Sequence, residues 1–153
     1  MKPQFGAFLF LLPLTHQKKL HMKTKDIHQT EIFHTDTEDL YKCIMDSRIH
    51  SSFTGGEAVI EDKEGTEFTA FDGYVTGKNI VLERGKKIVQ TWRAEEEGWP
   101  EDHFSEVVFV FEKVKEGTKL EFFHTGIPEH KAADIAKGWT DFYWEPLKDF
   151  LNR

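Results

Sequence analysis

Two polar side chains fall where strand alternation would point them into a core, and they are the first candidates for chemistry. Gln90 lies two residues before Trp92, and His124 lies two residues beyond Phe122. A buried amide or imidazole group loses ~1–3 kcal/mol when it has no hydrogen-bond partner. Each group therefore bonds a neighbour in the core, which is the ordinary case, or holds the polar end of a bound molecule. His124 close to Gln90 or Tyr143 is also an arrangement that acid–base catalysis would need.

The four histidines nearest the N-terminus lack the spacing that metal binding requires. Positions 16, 21, 28 and 34 are scattered over the first part of the chain, with no cysteine pair and no H-E-x-x-H sequence. The sequence also has no G-x-S-x-G nucleophile elbow and no phosphate-binding loop. We therefore expect no metal ion and no cofactor.

The acidic run and the single cysteine are expected to be structural. Glu95, Glu96 and Glu97 are adjacent in a predicted loop, with no apolar neighbour that would raise one pKa, so they indicate a solvated hairpin tip. Cys43 falls on the apolar face of a predicted helix beside Ile44, which is typical of a small core residue. Neither feature predicts a catalytic group.

The composition is that of one domain with a large core and an acidic surface. A chain of 153 residues has single-domain length and can bury a core without disulfides. The net charge of −7 argues against a nucleic-acid partner, because phosphates require a basic face. The lone Cys43 indicates a reducing compartment, and we expect the cytoplasm.

The first 21 residues are expected to stand apart from this domain. Residues 5–14 form an apolar run that is too short to span a bilayer, and no small-x-small cleavage sequence follows it. We expect residues 1–21 to be a tail, a mis-assigned start ahead of Met22, or a weak signal-like segment, without stable membrane insertion. Residues 22–153 are expected to form one domain.

Periodic apolar residues place the candidate side chains on strands that short turns connect. Residues 27–34 alternate as a half-buried strand, Thr35 and Glu38 form a capping box for a first helix, and residues 48–53 form a second helical turn. Further strands are predicted at residues 58–61, 67–75, 79–84, 88–95, 104–114 and 118–127. Their turns, among them Thr76-Gly77-Lys78, are too short for crossover helices, so the strands form an antiparallel meander.

A long aromatic helix is predicted at the end of the chain. Pro128 suits its first turn, and apolar residues recur at three- and four-residue steps as far as Phe150. Pro146 should remove one backbone hydrogen bond and bend this helix. The predicted fold is α+β: a strand, two short helices, an antiparallel six-strand meander and a long C-terminal helix packed in the curved sheet. We expect a monomer, although a free sheet edge and an exposed Trp99 would allow an edge-paired dimer.

A series of short motifs, in a fixed order, makes the chain resemble a known family. The motifs are Asp72-Gly73 with Gly77, Trp92-Arg93, Trp99-Pro100, Ser105, Gly117-Thr118, Gly126-x-Pro128 and Gly138-Trp139. From Thr30 to Leu151 the sequence resembles the activator of heat shock protein 90 ATPase homologue domain, a member of the START-like (SRPBCC) helix-grip superfamily. The resemblance implies the fold predicted above. It also implies an apolar cavity between the curved sheet and the C-terminal helix.

The resemblance suggests functions of three classes. The first is a non-enzymatic protein that binds a small hydrophobic or lipid-like ligand in the cavity. The alternative is a co-chaperone-like module that binds a heat shock protein 90 homologue and modulates its ATPase, with residues 95–97 and 101–102 facing a basic patch of that partner unless they only solubilise the protein. An enzyme of the cyclase or hydrolase type is the third. The residues expected to line the cavity are Tyr74, Ile80, Leu82, Gln90, Trp92, Phe109, Leu120, Phe122, His124, Trp139, Phe142 and Tyr143.

Overall fold

A computed structural model describes residues 22–152 and contains one six-stranded antiparallel sheet. The expectation for residues 1–21 lies outside the described residues. The strands are β1 Thr24–Phe33, β2 Glu67–Ala70, β3 Val75–Glu83, β4 Lys87–Ala94, β5 Ser105–Val114 and β6 Gly117–Pro128. Their order across the sheet is β1-β6-β5-β4-β3-β2, so β2 to β6 form a meander and β1 pairs with its last strand.

Two short helices follow β1, each begun by an aspartate. In α1 (Thr37–Met45) the Asp36 side chain accepts a hydrogen bond from the Asp39 N–H at 2.8 Å. In α2 (Ser47–Thr54) the Asp46 side chain accepts from the Ile49 N–H at 3.0 Å. The predicted cap at Thr35 is therefore wrong by one residue, because Asp36 supplies the oxygen that the first helical N–H groups need.

The C-terminal helix spans residues 129–151 and changes its winding along its length. A 3₁₀ turn (Glu129–Lys131) leads into α3 (Ala132–Trp139), a π-helical turn (Thr140–Trp144) and α4 (Glu145–Leu151). The π turn lies just before Pro146, where a lost backbone hydrogen bond is predicted, and in it the Glu145 N–H bonds to the Thr140 carbonyl oxygen. The bend predicted there stays a prediction. The wider turn accommodates a proline that has no N–H to offer. Pro128, predicted to start the helix, ends β6 instead.

Two predictions between α2 and β4 are wrong, one of a strand and one of a turn. Residues 58–61 contribute only an isolated bridge between Val59 and Thr69, so five strands rather than six follow the helices. The turn expected at Thr76-Gly77-Lys78 lies inside β3. Gly77 is needed there for packing, since a Cβ atom would stand 1.9 Å from the Thr91 carbonyl oxygen. The actual turn contains Phe71 and Asp72, both of which have positive φ angles, 51° and 58°.

The C-terminal helix lies against the concave face of the sheet, as the α+β prediction requires. The Trp92 ring on β4 and the Trp139 ring on the helix are 5.9 Å apart between centroids. At the β1 edge, Gln29 fixes the helix by donating to the Ala136 carbonyl oxygen at 3.0 Å and accepting from Trp144 Nε1 at 2.7 Å. The predicted fold class is confirmed.

The interior under β1, β5 and β6 is tightly filled, and we call it the packed half. Its members are fully buried side chains: Phe33, Leu120, Phe122, His124 and Trp144. The Phe122 ring lies 4.4 Å from the Trp139 ring and 5.1 Å from the Trp144 ring, between centroids. Ring contacts this short are those of a close-packed core.

Candidate functional site

The interior under β2 to β4 contains a cavity of about 540 Å³. Its walls come from α2, from β2 to β5 and from the C-terminal helix, and aromatic side chains form much of the surface. The lining residues are His50, Thr54, Phe68, Ala70, Phe71, Tyr74, Val75, Gln90, Trp92, Glu96, Phe109, Lys131, Asp134, Ile135, Gly138, Trp139, Phe142 and Tyr143.

The structure brings most of the sequence-predicted residues to this cavity and places the others elsewhere. Those at its wall are Tyr74, Gln90, Trp92, Phe109, Trp139, Phe142 and Tyr143. Leu120, Phe122 and His124 belong to the packed half and do not reach the cavity. Whether the residues at the wall bind a ligand remains a prediction.

Ile80 and Leu82 lie off the cavity because β3 is irregular. The register of β3 against β4 shifts between Asn79 and Val81, which is the signature of a β-bulge. The bulge turns Ile80 outwards, where it is 42% exposed, so the inward placement predicted for it is wrong. Leu82 is half-buried and packs against the edge of the core. The inward position before the bulge belongs to Asn79, which is fully buried.

Gln90 lies at the cavity wall, but its amide group is bound to other core residues. Its side-chain N–H donates to Asn79 Oδ1 at 2.9 Å and contacts Met45 Sδ at 3.9 Å. Asn79 in turn donates to the Glu61 carbonyl oxygen at 3.0 Å. These bonds meet the requirement that a buried amide be paired, so Gln90 fixes the position of β3 and β4 at the wall.

His124 is held in a closed chain of hydrogen bonds in the packed half. Trp139 Nε1 donates to His124 Nδ1 at 3.0 Å, so the proton of the neutral ring is on Nε2. Nε2 then donates to Ser105 Oγ at 2.7 Å, and Ser105 donates to the Trp92 carbonyl oxygen at 2.9 Å. Burial lowers the pKa of His124 to about 3. Both ring nitrogens are occupied, so His124 has no free lone pair for acid–base chemistry.

A second buried histidine, His50 on α2, has one unpaired nitrogen and lines the cavity. Its Nδ1 lies 3.0 Å from the Ile44 carbonyl oxygen, while Nε2 has no hydrogen-bond partner among residues 22–152. The ring stacks on Phe53 and meets the edge of Tyr143, both at 5.2 Å between centroids. Burial lowers the pKa of His50 to about 4, so the ring is neutral at pH 7.

Sequence reasoning missed His50, although one signal was available. The helical turn predicted at residues 48–53 places His50 and Phe53 one turn apart, on the same face. Phe53 belongs to the buried core, which would have turned His50 inwards with it. The pattern gives the direction of the side chain, but it does not show which nitrogen finds a partner.

Glu96 joins three segments at the rim of the cavity. Its carboxylate accepts a hydrogen bond from the Tyr74 hydroxyl and pairs with Lys131 Nζ at 2.5 Å. Burial alone would raise the pKa of Glu96, but the hydrogen bonds from Lys131 and Tyr74 outweigh it and hold the pKa below its ordinary value. The prediction of a solvated hairpin tip is therefore wrong for Glu96, which is partly buried and paired. Beside this link, Phe142 is 65% exposed at the cavity mouth.

Trp99 and Cys43 are both buried. Trp99 packs on Trp92 at 5.7 Å between ring centroids and donates to the His103 carbonyl oxygen at 2.9 Å. The prediction that Trp99 is exposed and could help to form an edge-paired dimer is therefore wrong. Burial raises the pKa of the Cys43 thiol to about 11, which agrees with a core residue.

Two classes of site are absent from the described part of the chain. Residues 22–152 contain no group of three or more histidine, cysteine, aspartate or glutamate side chains that could hold a metal ion. None of the helices formed by these residues is long and apolar enough to cross a bilayer.

Residues 34–152 match the family described as "Activator of Hsp90 ATPase homolog 1-like protein". The chain belongs to this family. It is 30% identical over 133 residues to the mouse protein named activator of 90 kDa heat shock protein ATPase homolog 2, covering 87% of this chain and 40% of the relative. It is 32% identical over 117 residues to the activator of 90 kDa heat shock protein ATPase homolog of Dictyostelium discoideum, covering 76% of this chain and 30% of that protein. The chain thus spans well under half the length of these curated relatives.

Solved structures agree on the fold. A crystal structure described as an HSP90 activator from Plasmodium falciparum superposes with a TM-score of 0.75 at 24% identity, covering 86% of this chain and 97% of that one. A Mesorhizobium loti protein of known structure superposes with a TM-score of 0.73 at 19% identity, covering 84% and 98% of the two chains. At these identities the likeness supports the helix-grip arrangement.

Proposed function

We propose that this protein is a non-enzymatic binding protein that holds a small hydrophobic or lipid-like molecule in the cavity between the sheet and the C-terminal helix. The observation that carries the proposal is the cavity itself, about 540 Å³ with a wall rich in aromatic side chains. Ligand sites in proteins occupy roughly 300–1,000 Å³ and are mostly apolar, with a few fixed polar groups.

The contrast with the rest of the interior supports this proposal. Protein interiors are close-packed, and a space much larger than a water molecule forfeits dispersion contacts. The same helix that packs Trp144 fully against the sheet stands off at Gly138, where a Cβ atom would meet nothing nearer than the Phe142 ring at 3.9 Å. The occupied nitrogens of Gln90 and His124 argue against an acid–base enzyme built on these two residues.

Native mass spectrometry of gently purified protein tests the proposal, because it detects a bound molecule of any identity by its added mass. We expect the protein to carry a small apolar molecule and Gly138→Leu to lose it, because the new side chain grows into the cavity. Ala133→Leu is the matched control, since Ala133 is exposed on the same helix and does not line the cavity. Loss in both variants, or a protein that takes up no apolar molecule under any condition, would contradict ligand binding.

A second candidate function is binding to a heat shock protein 90 homologue with modulation of its ATPase. Membership of the activator family and the names of the mouse and Dictyostelium relatives favour it. Glu97 and Asp102 are exposed near the β4–β5 hairpin tip and offer acidic groups to a basic surface. We also propose the cytoplasm as the location, in keeping with a lone, buried Cys43.

ATP turnover by a heat shock protein 90 homologue, measured with this protein in excess, tests the second function. We expect altered turnover that weakens as salt is added, and a further loss in the double variant Glu97→Lys with Asp102→Lys. Glu83→Lys is the charge-matched control, because Glu83 is exposed at the opposite end of the β3–β4 hairpin. Unchanged turnover at saturating protein would eliminate this function.

A further inference from the structure

We infer that the cavity selects a neutral molecule carrying one hydroxyl or N–H group, which donates a hydrogen bond to Nε2 of His50. This inference rests on the proposed ligand-binding function and adds the chemical class of the ligand. It also assigns the recognition step to a residue on α2, outside the strands and the C-terminal helix that form most of the cavity wall.

The hydrogen bond on the far side of the ring decides what His50 can accept. A backbone carbonyl oxygen only accepts, so Nδ1, 3.0 Å from the Ile44 carbonyl oxygen, carries the ring proton. In a neutral imidazole the other nitrogen then has a lone pair and no hydrogen. Nε2 is therefore an acceptor, and none of residues 22–152 donates to it. Native proteins pair most buried polar groups, so this nitrogen calls for a donor from elsewhere.

The surroundings of His50 allow a ligand to supply that donor. The side chain is only 4% exposed to solvent, yet it belongs to the wall of the cavity. Tyr143, which meets the His50 ring edge-on, lines the same wall, and its hydroxyl makes no hydrogen bond within residues 22–152. Nε2 itself is closed to solvent, so a ligand hydroxyl that donates to it and accepts from the tyrosine has to displace the packing around the histidine ring.

The charges at the rim argue for a neutral ligand rather than an anion such as a fatty acid. Among residues 22–152, Lys131 is the one lysine or arginine in the wall, and its ammonium group already pairs with Glu96 at 2.5 Å. Asp134, also at the wall, adds a further negative charge. A carboxylate would thus enter past acidic groups and lose its hydration without gaining a cation, which is strongly unfavourable.

Three naphthalenes, two of them neutral and one charged, separate these properties in calorimetric titrations at pH 7. The probes are 2-naphthol, which has a donor, 2-fluoronaphthalene, which has nearly the same shape and no donor, and the anion 2-naphthoate. We expect 2-naphthol to bind about tenfold more tightly than 2-fluoronaphthalene, the effect of one hydrogen bond, and 2-naphthoate to bind most weakly.

Two substitutions on α2 show whether His50 is the acceptor. His50→Leu should abolish the preference for 2-naphthol over 2-fluoronaphthalene. Phe53→Leu is the matched control, because Phe53 stacks on His50 and is buried but is not part of the cavity wall, and it should keep the preference. Near-ultraviolet circular dichroism checks that both variants are folded.

The outcomes distinguish this inference from the proposed function. Equal affinities of the wild-type protein for the first two probes, tightest binding of the anion, or an undiminished preference in His50→Leu would each overturn the role of His50 while leaving the cavity as a binding site. Failure of all probes to bind would overturn both. If His50→Leu does not fold, the wild-type preference together with the ¹⁵N shift of His50 Nε2 on adding 2-naphthol decides the question: a shift supports the hydrogen bond, and no shift refutes it.

Discussion

The two buried histidines differ in how completely their ring nitrogens are paired. His124, in the packed half, has partners on both ring nitrogens, and its ring contacts the rings of Trp92, Phe122 and Trp139. His50, at the cavity, has one partner and one unpaired nitrogen within residues 22–152. Burial lowers the pKa of both rings, so their ionisation does not distinguish them.

The two regions differ in how much volume and hydrogen-bonding capacity their side chains leave unused. In the packed half, polar groups satisfy one another, which rigidifies the core and closes it to a ligand. At the cavity, both volume and hydrogen-bonding capacity remain unused, and these are the two properties that a ligand would complete. Substitutions in the packed half should therefore change stability, and substitutions at the cavity should change binding.

Phe122→Ala should have the largest effect on stability. The residue is fully buried between Phe109 and Trp139, and truncation of such a side chain costs about 3–5 kcal/mol. Phe142→Ala, at the cavity mouth and 65% exposed, should change the free energy of unfolding by less than about 0.5 kcal/mol. Urea unfolding followed by tryptophan fluorescence measures both values, and similar losses in the two variants would refute the contrast.

Acidification should come next, at about 2 kcal/mol between pH 6.5 and 5.5. The pKa of each buried histidine is lower in the folded protein, about 4 for His50 and about 3 for His124, than its ordinary value of 6.5. The unfolded chain therefore binds more protons as the pH falls through 6.5. Each histidine then costs the folded protein about 1 kcal/mol of stability in this window, and the slope approaches about 1.4 kcal/mol per pH unit at lower pH, until the folded pKa is reached.

Two features make the acid prediction specific. Hydrogen bonds from Thr30 and His28 lower the pKa of Glu121 from 4.5 to about 2, so its contribution is lost only below pH 4.5, outside the window. His50→Leu should halve the loss measured by urea unfolding at pH 6.5 and 5.5. An unchanged slope in that variant would mean that His50 is not buried in its neutral form.

Ser105→Ala should destabilise the protein by about 2 kcal/mol, because the His124 Nε2–H would be left buried without an acceptor. Ser105 does not line the cavity, so the affinity for 2-naphthol should not change. Ser52→Ala, at an exposed position on α2, serves as the control and should shift stability by less than about 0.5 kcal/mol. A loss of probe affinity in Ser105→Ala would show that the two regions are coupled.

His50→Leu should change stability less than Ser105→Ala does, by less than about 1 kcal/mol at pH 7. It gives up the hydrogen bond to the Ile44 carbonyl oxygen but also removes the unpaired Nε2, and the two changes offset each other. The same urea titration measures it. A loss as large as that of Ser105→Ala would place His50 among the structural residues and remove the contrast between the two histidines.

Most of the fold was predictable because alternation and turn residues act locally. Trp92 points inwards as predicted, and the strands predicted at residues 104–114 and 118–127 correspond to β5 and β6. The turn predicted at Thr76-Gly77-Lys78 is wrong because Gly77 serves another purpose. It allows Phe68 and the Thr91 backbone to approach closely, and a local sequence pattern does not reveal such a contact. The strand predicted at residues 58–61 failed for lack of a pairing partner beyond one bridge.

The cavity was only partly predictable, since alternation gives the face of a residue but not the distance to the opposite wall. Phe109 and Phe122 both point inwards and pack on each other, yet only Phe109 reaches the cavity. The inward position predicted for Ile80 is wrong because a bulge in β3 interrupts the alternation that relates Ile80 to Leu82. The unpaired nitrogen of His50 depends on every group around it in three dimensions, and no spacing in the sequence encodes that.

The link that Glu96 makes between Tyr74 and Lys131 has a kinetic consequence. A molecule that leaves past this side of the cavity has to separate a hydrogen bond and an ion pair contributed by three distant parts of the chain. The residence time of the occupant would then fall as ionic strength rises, even where its equilibrium affinity is set by the apolar wall. Carrier proteins that must hold a cargo and later release it would gain from such a gate, because slow escape and weak binding can coexist.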